Sequence, residues 1–302
     1  MKRFSALLIM LAATLWSLDG LLRRQLYSLP PATLVMVEHM VGVLIALPFL
    51  PRVWHEYRKM TKRDWLVMLA IVVFASVLGT IFYTAALGKV NYIQYSVVVL
   101  LQQTQPIFAV ALAALLLKEK LTRRYSLMAL VGLVAAYFLA FPGYRPQLAG
   151  QTGEVSAALL AMGAALFWGS ATVLGKLILK RLSYIAAAIM RFALAIPVAY
   201  LVARLTGQTL PLSAITSTQW LYLIGIALSS GMVAFLIYYK GLTNTQAKVS
   251  TFAELTWPVS AAFIGLVFLK EVLTPVQIVA AIVLLADILA LSLSKAAVNE
   301  KA

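Results

Sequence analysis

Apolar and polar positions alternate along this chain on the scale of whole helices. Runs of about twenty apolar residues are separated by short polar connections, and ten of these runs can cross ~30 Å of hydrocarbon at ~1.5 Å per residue. They fall at roughly 4–22, 32–51, 65–87, 93–117, 125–142, 155–176, 184–204, 218–239, 249–269 and 275–294. The pattern predicts an all-α integral membrane protein of ten transmembrane helices. Met1-Lys2-Arg3 before an apolar run has the shape of a secretory signal, but Asp19 and nine further spans make it a retained first helix.

The polar interruptions repeat. Residues 97–122, VVVLLQQTQPIFAVALAALLLKEKLT, match 249–274, VSTFAELTWPVSAAFIGLVFLKEVLT, at an offset of 152 positions. At the same offset Ala12–Ser17 lies over Ala164–Gly169, His39 over Arg191 and Gln102 over Glu254. The chain therefore divides into two halves, 1–150 and 151–302, that form one membrane unit. Each half holds five spans, an odd number, so the second half enters the membrane from the opposite face. Repeats inverted in this way let a carrier reach two states, open to opposite sides, from one set of contacts.

Composition agrees: 63% of residues are apolar and only 12% charged. The formal charge of +15 would suggest a nucleic-acid partner in a soluble protein. Here the basic residues are dispersed over short loops, so lipid headgroups are the expected partner and nucleic acid is not. They concentrate on alternate loops: Lys2 and Arg3, Arg52 to Arg63, Lys118 to Arg124, Lys176 to Arg181, Lys240 and Lys248, Lys295 and Lys301. Far fewer fall on the other side, where Arg23, Arg24, Lys89, Arg145, Arg204 and Lys270 lie. The positive-inside rule then puts both termini in the cytoplasm, within a bacterial-type cytoplasmic (inner) membrane.

The paired Pro106…Lys118-Glu119-Lys120-Leu121-Thr122 and Pro258…Lys270-Glu271-Val272-Leu273-Thr274 blocks carry a resemblance, with Trp16-Ser17 and Trp168-Gly169. With the five-plus-five layout, the whole chain resembles the EamA-type ten-helix members of the drug/metabolite transporter superfamily. That resemblance implies a central cavity lined mainly by the first four helices of each half, with the fifth at the periphery, often at a dimer contact. Homodimer and monomer both remain open. The Lys-Glu-x-Leu-Thr signature itself is read as structural, with Glu119 and Glu271 in interface ion pairs to a neighbouring Lys and Thr122 and Thr274 capping the next helix. Pro275 suits that helix's first turn.

A charge at the centre of a membrane helix costs roughly 2.5–3.5 kcal/mol on insertion scales, so such residues usually face a cavity. Here they are Asp19, Glu38, His39, Arg191, Glu254 and Asp287. Glu254 stands one turn before Pro258, which cannot donate a hydrogen bond back to its carbonyl. Gln102 holds the same relation to Pro106. Two proline-kinked helices, each with a polar turn at the kink, make a binding region near the midplane, or else the glutamines and threonines are helix-helix glue. Arg191 can bind a carboxylate or neutralise Glu254 or Asp287. His39 is a basic counterpart to it, beside Glu38 as a possible proton acceptor pair. Asp19 faces Ala171 in the alignment, and is either a proton-coupling site or paired with Arg23 or Arg24. Trp16, Trp168, Trp257, Tyr83, Tyr95, Tyr238 and Tyr239 can form a box that stacks a ring or surrounds a quaternary ammonium, or else sit at the membrane interface. Trp16 and Trp257 are the two placed in the cavity, whereas Trp54, Tyr57, Trp65 and Trp220 suit the interface. Small residues such as Gly79, Gly163, Ser170, Ser229, Ser230 and Gly231 are read as allowing close helix approach.

Cysteine is absent, which excludes thiolate chemistry, and no phosphate-binding loop, His-Glu-x-x-His or Gly-x-Ser-x-Gly pattern occurs. No enzyme, cofactor or metal is predicted. The expected function is secondary transport of a small polar or amphipathic metabolite by alternating access, as an exporter that is proton-coupled or facilitative. Amino-acid-like zwitterions are favoured because Arg191 offers an anion partner while Glu254 and Asp19 offer cation partners. Organic cations or drugs are the nearest alternative substrates. A channel-like or sensory scaffold is the alternative class.

Overall fold

The computed structural model describes residues 2–89, 91–117, 122–143, 153–243, 245 and 253–293. Glu119 with its Lys118-to-Leu121 neighbours, Arg145, Lys248, Lys295 and Lys301 lie outside the described residues. In chain order the helices are α1 (Lys2–Arg24), α2 (Pro31–Ala46), α3 (Leu50–Tyr57), α4 (Lys62–Ile71), α5 (Thr80–Leu87), α6 (Tyr95–Gln102) and α7 (Gln105–Leu117). Then come α8 (Arg123–Ala140), α9 (Gly153–Ile178), α10 (Tyr184–Leu205), α11 (Ser217–Leu228), α12 (Met232–Thr243), α13 (Thr256–Phe268) and α14 (Pro275–Leu293). Among the described residues there is no strand.

Among the described residues, eight helical stretches are long and apolar enough to cross a membrane: Ser5–Arg24, Pro31–Tyr57, Lys62–Leu87, Tyr95–Leu112, Arg123–Ala140, Gly153–Ala171, Tyr184–Leu205 and Ser217–Thr243. They coincide with the first eight predicted spans. The ninth and tenth correspond to α13 and α14, of which α13 has 13 residues and alone reaches about 20 Å. Its predicted start at 249 lies outside the described residues.

Helix starts follow capping chemistry. Thr122 accepts from the Tyr125 amide at 3.1 Å, and Ser183 from the Ala186 amide at 3.2 Å. Thr274 accepts from the Gln277 amide at 3.3 Å, while the Gln277 carboxamide accepts from the Thr274 amide at 3.0 Å. Both threonine caps stand where the sequence predicts them.

Several irregular segments among the described residues shape the interior. The fourth predicted span is broken: α6 ends at Gln102, Gln103 and Thr104 form a turn, and α7 begins at Gln105 with Pro106 in its first turn. The second departure lies between α4 and α5, where Val72–Gly79 is wound as a π-helix. A π segment leaves carbonyls aimed away from their ordinary helical partners. One of them, that of Ala75, accepts from the Trp168 indole at 2.9 Å.

Packing brings α1 against α12 and α13, and α9 against α5, α7 and the π segment; α2 lies on α10, and α8 on α14. The buried cores run between these pairs, while Leu127, Leu130, Leu221, Phe263, Val279 and Ile282 present large apolar side chains outward. In a bilayer these outward faces meet lipid tails instead of water. Peripheral α8 and α14 fit the expectation for the fifth helix of each half, except that Ile288 and Leu291 of α14 also reach the central cavity.

Candidate functional site

The helices enclose a cavity of about 570 Å³. Its polar end is built around Arg23, whose side chain is 3% exposed. Arg23 donates from Nε to Asp19 Oδ2 at 2.6 Å and from Nη2 to Asp19 Oδ1 at 3.0 Å. The same Nη2 reaches Glu38 Oε2 at 2.8 Å, and Nη1 reaches the Thr84 hydroxyl at 2.9 Å. Ser230 adds a hydrogen bond to Asp19 Oδ1 at 2.7 Å. Asp19 and Arg23 are one turn apart on α1, so a short-range helical pair becomes a cluster only because α2, α5 and the turn between α11 and α12 close over it. Buried charges persist when both are paired and hydrogen-bonded. Asp19 is therefore ion-paired, which is the structural alternative left open by the sequence. Arg23 and Arg24, counted there as loop charges, lie in the helix bundle, Arg23 buried and Arg24 part-buried.

Aromatic rings line the middle. Trp16 lies 4.9 Å from Tyr238 and 6.1 Å from Trp257 between ring centroids, and Trp257 lies 6.2 Å from Trp168. Trp168 in turn is 5.3 Å from Tyr83. Five rings from α1, α5, α9, α12 and the start of α13 thus form a continuous wall through tilted and edge-on contacts, at the centroid separations aromatic pairs prefer. Tyr238 donates to Glu254 Oε1 at 2.9 Å, holding that carboxylate at the aromatic wall.

A second cation stands on α10. Arg191 donates from Nε to the Ser76 hydroxyl at 2.7 Å and from Nη1 to the Tyr239 hydroxyl at 3.2 Å. Its guanidinium carbon sits 4.4 Å from the centroid of the Phe235 ring, a cation-π distance. Its hydrogen bonds go to hydroxyls, whereas the sequence allowed an internal pair with Glu254 or Asp287. His39 packs beside it, 4.7 Å from the Phe192 ring. His39 Nδ1 lies 2.7 Å from the Val35 carbonyl. A carbonyl only accepts, so Nδ1 carries a proton, which in the neutral ring leaves Nε2 as the acceptor.

The helix break supplies the remaining wall, through Gln102, Gln103, Gln105 and Pro106. It is held by close backbone packing: a Cβ at Gly169 would come within 2.5 Å of the Gln105 carbonyl oxygen. Only glycine lets α9 lie that close to the break.

Trp16, Asp19, Glu38, His39, Gln102, Pro106, Arg191, Glu254 and Trp257 all border this one cavity. Pro258 is buried immediately behind Trp257 and does not border it. Asp287 is elsewhere, between α8 and α14, where a Cβ at Gly132 would meet its Oδ2 at 2.9 Å. Sequence reasoning missed Ser76, Thr84 and Phe235, and treated Ser230 as a spacer.

Glu271 bears out the structural reading of its motif with a different partner, since it pairs with Arg24 at 2.7 Å. Its carboxylate also accepts from the Tyr95 and Ser96 amides at 2.7 and 3.1 Å, capping α6. The preceding Lys270 adopts a left-handed φ of 57°, the turn that delivers Glu271 there.

The chain matches the sequence model of the EamA-like transporter family twice, over residues 3–141 and 155–293. It is 36% identical over 289 residues to a protein of Fusobacterium nucleatum named Riboflavin transporter ImpX, covering 95% of this chain and 97% of that one. It is also 25% identical over 242 residues to Uncharacterized transporter YetK of Bacillus subtilis, covering 78% of this chain and 70% of that protein. One solved crystal structure matches with a TM-score of 0.64 at 19% identity over 97% of both chains, a likeness of fold alone. Two family matches, a helical bundle with lipid-facing apolar surfaces and bacterial transporter relatives place the chain in one class. It belongs to the EamA-like transporter family, as a two-repeat, multi-pass transporter of the bacterial cytoplasmic membrane and not an enzyme.

Proposed function

We propose that this chain is a secondary transporter for a flat heteroaromatic metabolite of the riboflavin class. It works by alternating access between two inverted five-helix halves, 1–150 and 151–302, with ten crossings and both termini cytoplasmic. The observation that carries the substrate class is the ring wall from Tyr238 through Trp16, Trp257 and Trp168 to Tyr83 in a cavity of about 570 Å³. Small-molecule pockets run to roughly 300–1,000 Å³, which accommodates a tricyclic ring with a polyol chain. Aromatic faces gain by stacking on such a ring, and charged and hydroxyl groups at both edges can bind a polyol. The Fusobacterium relative named for riboflavin supports the same class. On this reading Trp16, Trp257, Gln102, Glu254, Arg191 and His39 contact substrate, and the ring wall outweighs the amino-acid-like substrate that Arg191 and Glu254 first suggested.

Equivalence of the halves is supported by the packing, since α1 meets α12 and α13 as α9 meets α5 and α7, and their inversion follows from the odd number of spans in each. The break between α6 and α7 at Gln103 and Thr104 borders the cavity and fits the discontinuous helices that carriers place at a binding region. Proton coupling is assigned to Asp19 and Glu38, which share one guanidinium and so leave an excess negative charge for a proton to neutralise. An Asp19→Asn protein is expected to transport without responding to a pH gradient; an undiminished response would remove that assignment.

The test is thermal stabilisation of purified protein by riboflavin set against amino acids and quaternary amines, since a specific ligand stabilises by RT ln(1 + [L]/Kd). A saturable shift with riboflavin alone is expected. A second reading, organic cations, is favoured by the three carboxylates and two guanidiniums at the cavity, Asp19, Glu38 and Glu254 against Arg23 and Arg191. It predicts a shift with quaternary amines that survives Arg191→Gln.

A further inference from the structure

We infer that Gln102 reads the edge of the transported ring, and that the edge it selects is a cyclic imide or lactam, an N–H beside a C=O. This rests on the ring-transport reading and specifies what distinguishes one flat ring from another. Gln102 is the last residue of α6 before the helix break; it is fully buried and borders the cavity. Neither Oε1 nor Nε2 of its carboxamide has a hydrogen-bond partner among the described residues. Burying a carboxamide with both ends unpaired is unfavourable, and such groups call for a specific explanation.

Helix-helix glue does not supply one. The neighbouring Gln103 does satisfy itself locally, donating from Nε2 to the Val99 carbonyl at 3.2 Å, and Thr104 donates to the Leu101 carbonyl at 2.7 Å. Among the described residues, Gln102 alone in that polar turn has a fully buried side chain with both ends of its carboxamide unpaired. The Tyr83 hydroxyl, at the end of the ring wall, borders the same cavity and is also buried and without a hydrogen-bond partner among the described residues. The cavity thus presents a donor-acceptor pair and a hydroxyl together with stacking faces.

The chemistry selects the ligand edge. A carboxamide offers one acceptor and one donor side by side, in either flip of the amide. A quaternary ammonium has no donor, and a carboxylate satisfies only Nε2. A ring edge with adjacent N–H and C=O satisfies both ends at once, and the imide of the flavin ring is such an edge. The equivalent position in the second half holds Glu254, already engaged by Tyr238, so the two equivalent positions are specialised differently.

The experiment compares riboflavin with 3-methylriboflavin, in which the imide N–H is replaced by N–CH₃, by titrating flavin fluorescence against the full chain in lipid nanodiscs. Wild type is expected to bind riboflavin at least about tenfold more tightly than the methylated analogue, from one lost donor and one amide oxygen left unpaired. Gln102→Leu is expected to narrow that ratio to about twofold or less by weakening riboflavin. Equal binding of both flavins by wild type overturns the inference while leaving flavin transport standing. A Gln102→Leu protein that keeps the full ratio overturns it as well. Should that variant fail to fold, the wild-type ratio decides alone. Binding of neither flavin by folded wild type overturns the ring reading together with the inference.

Discussion

Removing the Arg23 guanidinium would leave Asp19 and Glu38 buried together with no cation between them. Breaking a buried pair from one side typically destabilises by about 3–5 kcal/mol. Arg23→Leu is therefore expected to lower the melting temperature sharply, and Arg23→Leu combined with Asp19→Asn and Glu38→Gln to recover part of the loss. An unchanged melting temperature in the single variant would mean that the cluster is not a structural unit. In the ring wall, Trp257→Ala should weaken flavin binding by about 10- to 100-fold, on the ~1–3 kcal/mol scale of a base stacked on an aromatic side chain. Trp257→Phe should retain most of the affinity; equal losses in both would point to a packing role. Much of the site was legible at this scale, because intramembrane charges such as Glu38, Arg191 and Glu254 are rare enough to be conspicuous. Ser76, Thr84 and Ser230 were not, because a hydroxyl can bond its own helix and carries no sign of a distant partner. Arg23 was placed in a loop because it ends its apolar run, and only the closing of α2 and α5 buries it.

Among the elements, the break between α6 and α7 was half legible. Proline announced an interruption near Pro106, but the sequence predicted a kinked helix, whereas the chain makes a turn at Gln103 and Thr104 and starts a new helix. The π segment Val72–Gly79 was invisible, since VVFASVLG has the pattern of any apolar span. Yet it positions Ala75 and Ser76 to hold Trp168 and Arg191. The close approach of Gly169 to Gln105 gives a test of the break as a rigid feature. Gly169→Val places carbon atoms against a backbone carbonyl that cannot swing aside as a side chain does. Overpacking of this kind costs about 1–3 kcal/mol, and the variant should unfold at lower temperature and lose flavin affinity together. Normal stability and affinity would show that α9 can shift freely, contrary to the packing described.

For the whole molecule, the duplication was the most legible feature, because two copies of one pattern in a chain leave the same signature wherever the helices pack. How the halves lock together was not, because an ion pair such as Arg24 with Glu271 joins residues 247 positions apart. Glu271 holds α1 and the start of α6 from the second half, so Glu271→Gln should loosen that end of the cavity and change the exposure of a reporter cysteine at Ser17. The native absence of cysteine makes such reporters clean. In a carrier, cysteines at Ser17 and Ser170 should exchange protection between the two membrane faces when riboflavin is added. Protection that is indifferent to ligand would favour a static scaffold. The most direct test of flavin carriage is flux itself, measured with purified chain in sealed liposomes that start with riboflavin on one side only. Saturable riboflavin movement above protein-free vesicles, sharply reduced by Trp257→Ala, is the predicted result. Movement no faster than in protein-free vesicles, or equally fast with Trp257→Ala, would contradict it.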